Sequence, residues 1–345
     1  MRHRKALFFL AIVGATVIAF FGLRPAFTPY IAPPGVALLE RVTFGGTPQS
    51  VLIRGGSCHN PLVLFLHGGP GMPLMYLAHA FQRRLENDFV VVQWDRRGAG
   101  TSYSSNLDPK LMRMSQELAD TEQLIELLRQ RFSQTKIIVV AHSYGSLLGI
   151  ELAYRRPDLV RAYVGVGQDA CGSTEARVIQ DAWLQRETMA ASDAKTLAAI
   201  DSGQLWDREA ALFRYGGELV GMKSYWPLVM KGLSAPEYTL RDVLNVSKGV
   251  AFTHKFMGYD LLNPSLPLIG SVPKLTVPAY FFVGRKDYTT PFSCAESYYD
   301  RLDDPSKHMI WFDHSAHFPF LEEPQRFHQA LLQVARDTAA PPQGQ

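Results

Sequence analysis

The chain has 345 residues, enough for one large domain or a domain with a sizeable insertion, and its 47% apolar and 19% charged residues give it the balance of a globular protein. Its net charge of +3 sits at the N-terminus: Arg2, Arg4 and Lys5 are three of 35 basic residues, which leaves 32 basic against 32 acidic in the rest. A neutral body carries no basic excess of the kind that binds nucleic acid, and three cysteines with no C-x-x-C pair among them argue against a zinc site.

The first predicted element is Ala6 to Leu23, 18 residues without a charge. As a helix it would reach roughly 27 Å, close to the hydrocarbon thickness of a bilayer. The basic residues before it place the N-terminus in the cytosol and the body on the outer side. No convincing small-x-small cleavage site follows in RPAFTPYIAPP, so residues 1–30 read as an uncleaved single-pass anchor. A cleaved signal, leaving a secreted or periplasmic body, is the alternative.

Strand-like runs follow at Val51–Ile53, Leu62–Leu66, Phe89–Val92 and Ile137–Val140, the last three being continuous apolar runs of the kind buried in parallel sheets. Ser115 to Phe132 has helical spacing of Leu118, Leu124, Ile125 and Leu128. After a further run at Ala162–Val166 the pattern stops for about a hundred residues, which are helix-like and rich in aromatics. It resumes at Ala279–Val283 and Met309–Phe312 and ends in a helix over Gln325–Asp337. The expected organisation is an α/β core formed by residues 36–167 and 271–338, with a mostly parallel sheet flanked by helices, and a helical cap over residues 168–270. Of Cys58, Cys171 and Cys294, at least one is free; one disulfide stays open if the body meets an oxidising compartment.

The chemistry-bearing signal is Ala141-His142-Ser143-Tyr144-Gly145 between the strand Ile137–Val140 and a following apolar helix. A sharp strand-to-helix turn with Ser at its apex is a nucleophile elbow, which pushes the Ser143 hydroxyl out at the sheet edge. Positions two away must be small; Gly145 is, and Ala141 departs by one methyl from the usual glycine. Upstream, His67-Gly68-Gly69-Pro70-Gly71 follows a strand directly. Its glycines let backbone N–H groups approach a ligand, so Gly68 and Gly69, with the N–H of Tyr144, are the expected oxyanion donors. His67 itself reads as structural. A serine nucleophile needs a base and the base an orienting acid. Asp287 ends the strand Ala279–Val283, and His317 lies in the loop after Met309–Phe312. His314 competes as base, and Asp313 and Asp169 as acids.

These segments, together with Trp94-Asp95-Arg96-Arg97-Gly98-Ala99-Gly100-Thr101-Ser102, His317-Phe318-Pro319 and Glu322-Glu323-Pro324, resemble the proline iminopeptidase branch of the α/β-hydrolases over roughly Val36 to Ala335. The resemblance implies an α/β-hydrolase fold, nucleophile Ser143, acid Asp287, base His317, and a structural role for the Asp95 loop. The cap departs from it: the Trp- and Glu-rich signature that reads a substrate's free amine is absent, and Glu187, Glu209 and Glu218 read as solvated helix-face residues. The expected function is a serine hydrolase cleaving an ester or amide bond of a small or hydrophobic substrate, without metal or organic cofactor. Its rivals are a proline iminopeptidase-type aminopeptidase acting on peptides and a non-catalytic binding protein of the same fold. Oligomeric state has no signature.

Overall fold

The computed structural model describes residues 25–201, 205–261 and 271–339. The expected membrane segment Ala6–Leu23 lies outside them. Among the described residues no helix is long and apolar enough to cross a membrane.

The core is one sheet with the strand order β1-β2-β4-β3-β5-β6-β7-β8. Its strands are β1 Val36–Phe44, β2 Thr47–Gly55, β3 Leu62–Leu66, β4 Val90–Asp95, β5 Ile137–His142, β6 Val160–Val166, β7 Ala279–Gly284 and β8 His308–Phe312. Strands β3 to β8 pair in parallel. The first two are antiparallel and form a hairpin across Gly45-Gly46. Both glycines have positive φ, 51° and 74°, as a two-residue turn matching the strand twist requires. Strand β1 has no counterpart among the expected runs: its mixed, half-buried pattern at a sheet edge carries little signal.

Alternation along the parallel strands explains why both faces are dry. Leu62, Leu64 and Leu66 of β3 point into one apolar cluster, while Val63 and Phe65 point into the other. The first face is covered by α1 (Met114–Phe132) and α2 (Tyr144–Arg155). The cap helices follow: α3 (Ser173–Ala190), α4 (Ala194–Asp201), α5 (Leu205–Tyr215), α6 (Trp226–Leu233) and α7 (Leu240–Leu261). The chain then re-enters the sheet at β7, and α8 (Phe292–Arg301) and α9 (Pro324–Asp337) complete the core. Helix α9 packs Phe327, Leu331 and Val334 on the second face, which also receives Phe213, Leu219 and Leu228 of the cap.

A disulfide joins Cys171, at the foot of the cap, to Cys294 on α8, with Cα atoms 5.4 Å apart. It spans 123 residues of sequence and ties the cap's entry to the segment that carries Asp287. Cys58 is free.

Candidate active site

The elbow forms where β5 gives way to α2. Ser143 between them has φ 55° and ψ −129°, a region that costs a non-glycine residue about 1–3 kcal/mol. The surroundings hold it there. The Ser143 N–H donates to the Val166 carbonyl at 3.0 Å, and the Ser146 N–H to the Ser143 carbonyl at 2.7 Å. A Cβ on Gly145 would lie 2.3 Å from the Leu66 oxygen and 2.5 Å from the His67 oxygen, so this position admits only glycine. The Ala141 methyl, out of pattern in the sequence, is accommodated by Gly149 one turn along α2, where an added Cβ would come within 2.6 Å of it. The Ser143 hydroxyl makes no hydrogen bond among the described residues.

Gly68 passes close against Ser143: a Cβ there would lie 2.8 Å from the Ser143 Cβ. Gly69 has φ 114°, which only glycine adopts freely, and an added Cβ would strike the Gly71 and Met72 nitrogens. His67 is buried and holds this loop. The Arg96 N–H donates to its Nε2 at 3.3 Å, which assigns the proton to Nδ1, and Nδ1–H then donates to the Gly68 carbonyl at 2.9 Å. Burial and the Arg96 charge push its pKa well down, which keeps the ring neutral. The Asp95-Arg96-Arg97 run is a buried scaffold. Arg97 pairs with Asp120, both fully buried. Asp95 accepts from Thr101 and, at 2.5 Å, from Tyr238 of the cap.

Asp287 and His317 come together as a buried pair, with Nδ1 2.9 Å from Asp287 Oδ2. Four donors in all converge on Asp287: the Thr289 and Thr290 N–H groups at 3.0 Å each, the Thr290 hydroxyl at 3.1 Å, and His317. Gly167, just past β6, leaves room for the pair, because a Cβ there would lie 2.6 Å from His317 Nδ1. Burial alone would lower the His317 pKa. The Asp287 charge and hydrogen bond outweigh it, Glu218 and Glu322 add to them, and the pKa is raised. The ring also packs at a tilt against His142, whose Nε2 lies 2.8 Å from the His317 carbonyl. The rivals stand aside. His314 is exposed, and Asp313 is exposed and pairs with Arg285. Asp169 is nearer: burial pushes its carboxyl up to about 6, with His317 pulling it down and Asp287 pushing it up.

Three features lay beyond the sequence reading. The Thr290 hydroxyl reaches both Asp287 and His317. Glu322 accepts from the N–H groups of Ala316 and Phe318 with one oxygen and of Val220 with the other, so it clasps the His317 loop and fastens the cap to it. The Glu322-Glu323-Pro324 run was its only signal. Glu218 corrects an expectation. It is only 7% exposed and not a solvated face residue. Its carbonyl accepts from the His317 N–H at 3.0 Å, and its carboxylate takes the Tyr225 hydroxyl at 2.6 and 2.7 Å. Burial raises its pKa to about 7, against the Tyr225 hydrogen bond and the His317 charge, while Glu209 adds to the rise. Glu187 and Glu209 are partly buried. No group of side chains among the described residues is arranged to hold a metal ion.

Comparisons with known proteins bear on the fold and the family. The alpha/beta hydrolase family profile matches residues 63–330. The "Probable aminopeptidase YbaC" of Bacillus subtilis (strain 168) is 31% identical over 310 residues, covering 87% of this chain and 97% of that protein. A proline iminopeptidase of Heyndrickxia coagulans is 24% identical over 77% of this chain and 87% of its own length. Among solved structures, the proline iminopeptidase of Mycobacterium smegmatis superposes with a TM-score of 0.65 at 20% identity, over 87% of this chain and 98% of that one. The chain therefore belongs to the alpha/beta hydrolase family, in its proline iminopeptidase-like branch, and is a hydrolase.

Proposed function

We propose that this hydrolase works by acyl transfer from a Ser143–His317–Asp287 triad on an ester or amide bond. The observation that carries the reading is the buried Asp287–His317 pair packed against an elbow whose apex serine is held at positive φ. Asp287 on Nδ1 sets the tautomer and leaves Nε2 to take the Ser143 proton. The alkoxide attacks the carbonyl. The N–H groups of Gly68, Gly69 and Tyr144 are assigned the oxyanion. The imidazolium protonates the leaving group, and water then resolves the acyl-enzyme with His317 again as base. The experiment is hydrolysis of p-nitrophenyl esters by Ser143→Ala. Turnover should drop by about 10³-fold or more, and labelling by a fluorophosphonate should vanish. Wild-type turnover by this variant would sink the assignment.

Glu218 favours a second, narrower reading, an aminopeptidase. A buried carboxylate beside the base, with Glu209 acting on it, suits the ammonium of a free N-terminus. The similarity to an aminopeptidase over nearly the whole of that relative supports this direction. Cleavage of a proline arylamide but not of its N-acetylated form would support it; preference for the acetylated form would overturn it.

We also hold to the reading of Ala6–Leu23 as an uncleaved membrane segment with the body on the outer side. The Cys171–Cys294 disulfide supports that side, since such bridges persist in oxidising compartments.

A further inference from the structure

Helix α6 presents an apolar face to solvent. Leu228 and Gly232 are buried beneath it, yet Trp226 is 65%, Val229 38% and Met230 47% exposed. These residues lie one turn apart on the outer side, where a surface helix ordinarily carries polar residues. Lys223, just before the helix, and Lys231, within it, are exposed and flank this stripe.

The segment leading in from the N-terminus meets the same corner. The Phe27 N–H donates to the carbonyl of Pro236, three residues past the end of α6, at 3.0 Å. Thr28 and Pro29 are held by Arg54, which itself pairs with Glu86. Phe27 is 48% and Tyr30 81% exposed. Ser234, directly after α6, hydrogen-bonds His79, and both Arg83 and Lys231 act on that ring. Two further aromatics and a third basic residue therefore gather where the chain arrives from the uncharged run that ends at Leu23.

We propose that the exposed face of α6, with Phe27 and Tyr30, is a docking surface for the outer leaflet of the membrane in which Ala6–Leu23 is embedded. The proposal rests on the uncleaved-anchor reading. Only three residues separate Leu23 from Phe27, so over four steps of about 3.5 Å each the body cannot stand more than roughly 15 Å off the point where the segment leaves the bilayer. At that range, leaving a Trp–Val–Met face in water forgoes its burial. Tryptophan suits the headgroup boundary, and the lysines suit anionic lipid. The docked helix is also tied to the site. Tyr225, at its start, holds the Glu218 carboxylate, and the Glu218 carbonyl takes the His317 N–H.

The test uses the full-length chain in vesicles of phosphatidylcholine and phosphatidylglycerol, with and without brominated acyl chains. Flotation reads the anchor; quenching of tryptophan emission by bromine reads the docking. Wild type and Trp226→Phe should float equally, and bromine should quench wild-type emission, most of that quenching being lost in Trp226→Phe. Met230→Asp should float but show reduced quenching. Flotation with equal quenching in wild type and Trp226→Phe, or with none in wild type, overturns the docking surface and leaves the anchor standing. Failure of the full-length chain to float overturns both.

Discussion

The core half and the cap half of the site are built on different principles. In the core, backbone geometry does the positioning: Ser143 is held at positive φ, Gly145 and Gly68 exist because neighbours leave no room for a Cβ, and Asp287 and His317 sit on loops that follow strands. Between cap and core, positioning runs through side chains and stray carbonyls, such as the Glu218 carbonyl that accepts the His317 N–H and the Glu322 carboxylate that accepts the Val220 N–H. Geometry of the first kind tolerates almost no substitution. The second kind needs only a carboxylate at the right depth, which many sequences can supply. A shared reaction with a divergent substrate is the expected result of such a division.

The largest way to test the division is in the core scaffold. Asp120→Ala leaves Arg97 buried without its partner and should cost about 3–5 kcal/mol by urea unfolding. A loss under 1 kcal/mol would mean the scaffold is more pliant than its burial suggests.

Glu218→Gln probes the cap and should act in the opposite direction on stability. The Glu218 pKa is raised to about 7 in the folded chain, so the native state loses stability as pH rises from the ordinary carboxylate range through 7. At pH 8 that loss is complete, and glutamine removes it, for a gain of at most ~3 kcal/mol. At pH 4 the melting temperature should not change. A gain in stability with a raised KM for substrates bearing a free amine, and an unchanged KM for esters, would mark Glu218 as a strained binding group.

Gly149→Ala tests how the imperfect elbow is tolerated. The added methyl meets the Ala141 methyl and should cost about 1–3 kcal/mol. Adding Ala141→Gly should restore much of it in a double-mutant cycle. Simple additivity would show that the two positions do not trade space.

The smallest expected effect is on the pH profile. In the proposed mechanism His317 must be neutral to act as base, and its pKa is raised, so kcat/KM should fall as pH drops through a value above the ordinary imidazole range. Glu218→Gln removes one of the charges that raise it, and the acid limb should move to lower pH by a fraction of a unit. A shift to higher pH would contradict the cap's electrostatic reach into the core.

Much of the core was legible because its signals are local. Continuous apolar runs of strand length marked β3, β5 and β7, and small residues around Ser143 marked the turn. Edge strand β1 was not, since an element half in water need not be apolar. The cap carboxylates were misjudged for a related reason. A glutamate's burial depends on what packs over it, and helical spacing says nothing of Tyr225 or of the His317 loop.

The order of Ser143, Asp287 and His317 along the chain, and the glycines around them, were determined by sequence alone, because a tight turn and a close backbone approach each demand a particular residue type. Tertiary structure decided that Gly149 offsets Ala141, that Cys171 meets Cys294, and that Glu218 and Glu322 close over His317. Each of these joins separate elements through space, and the packing that joins them leaves no pattern along the chain.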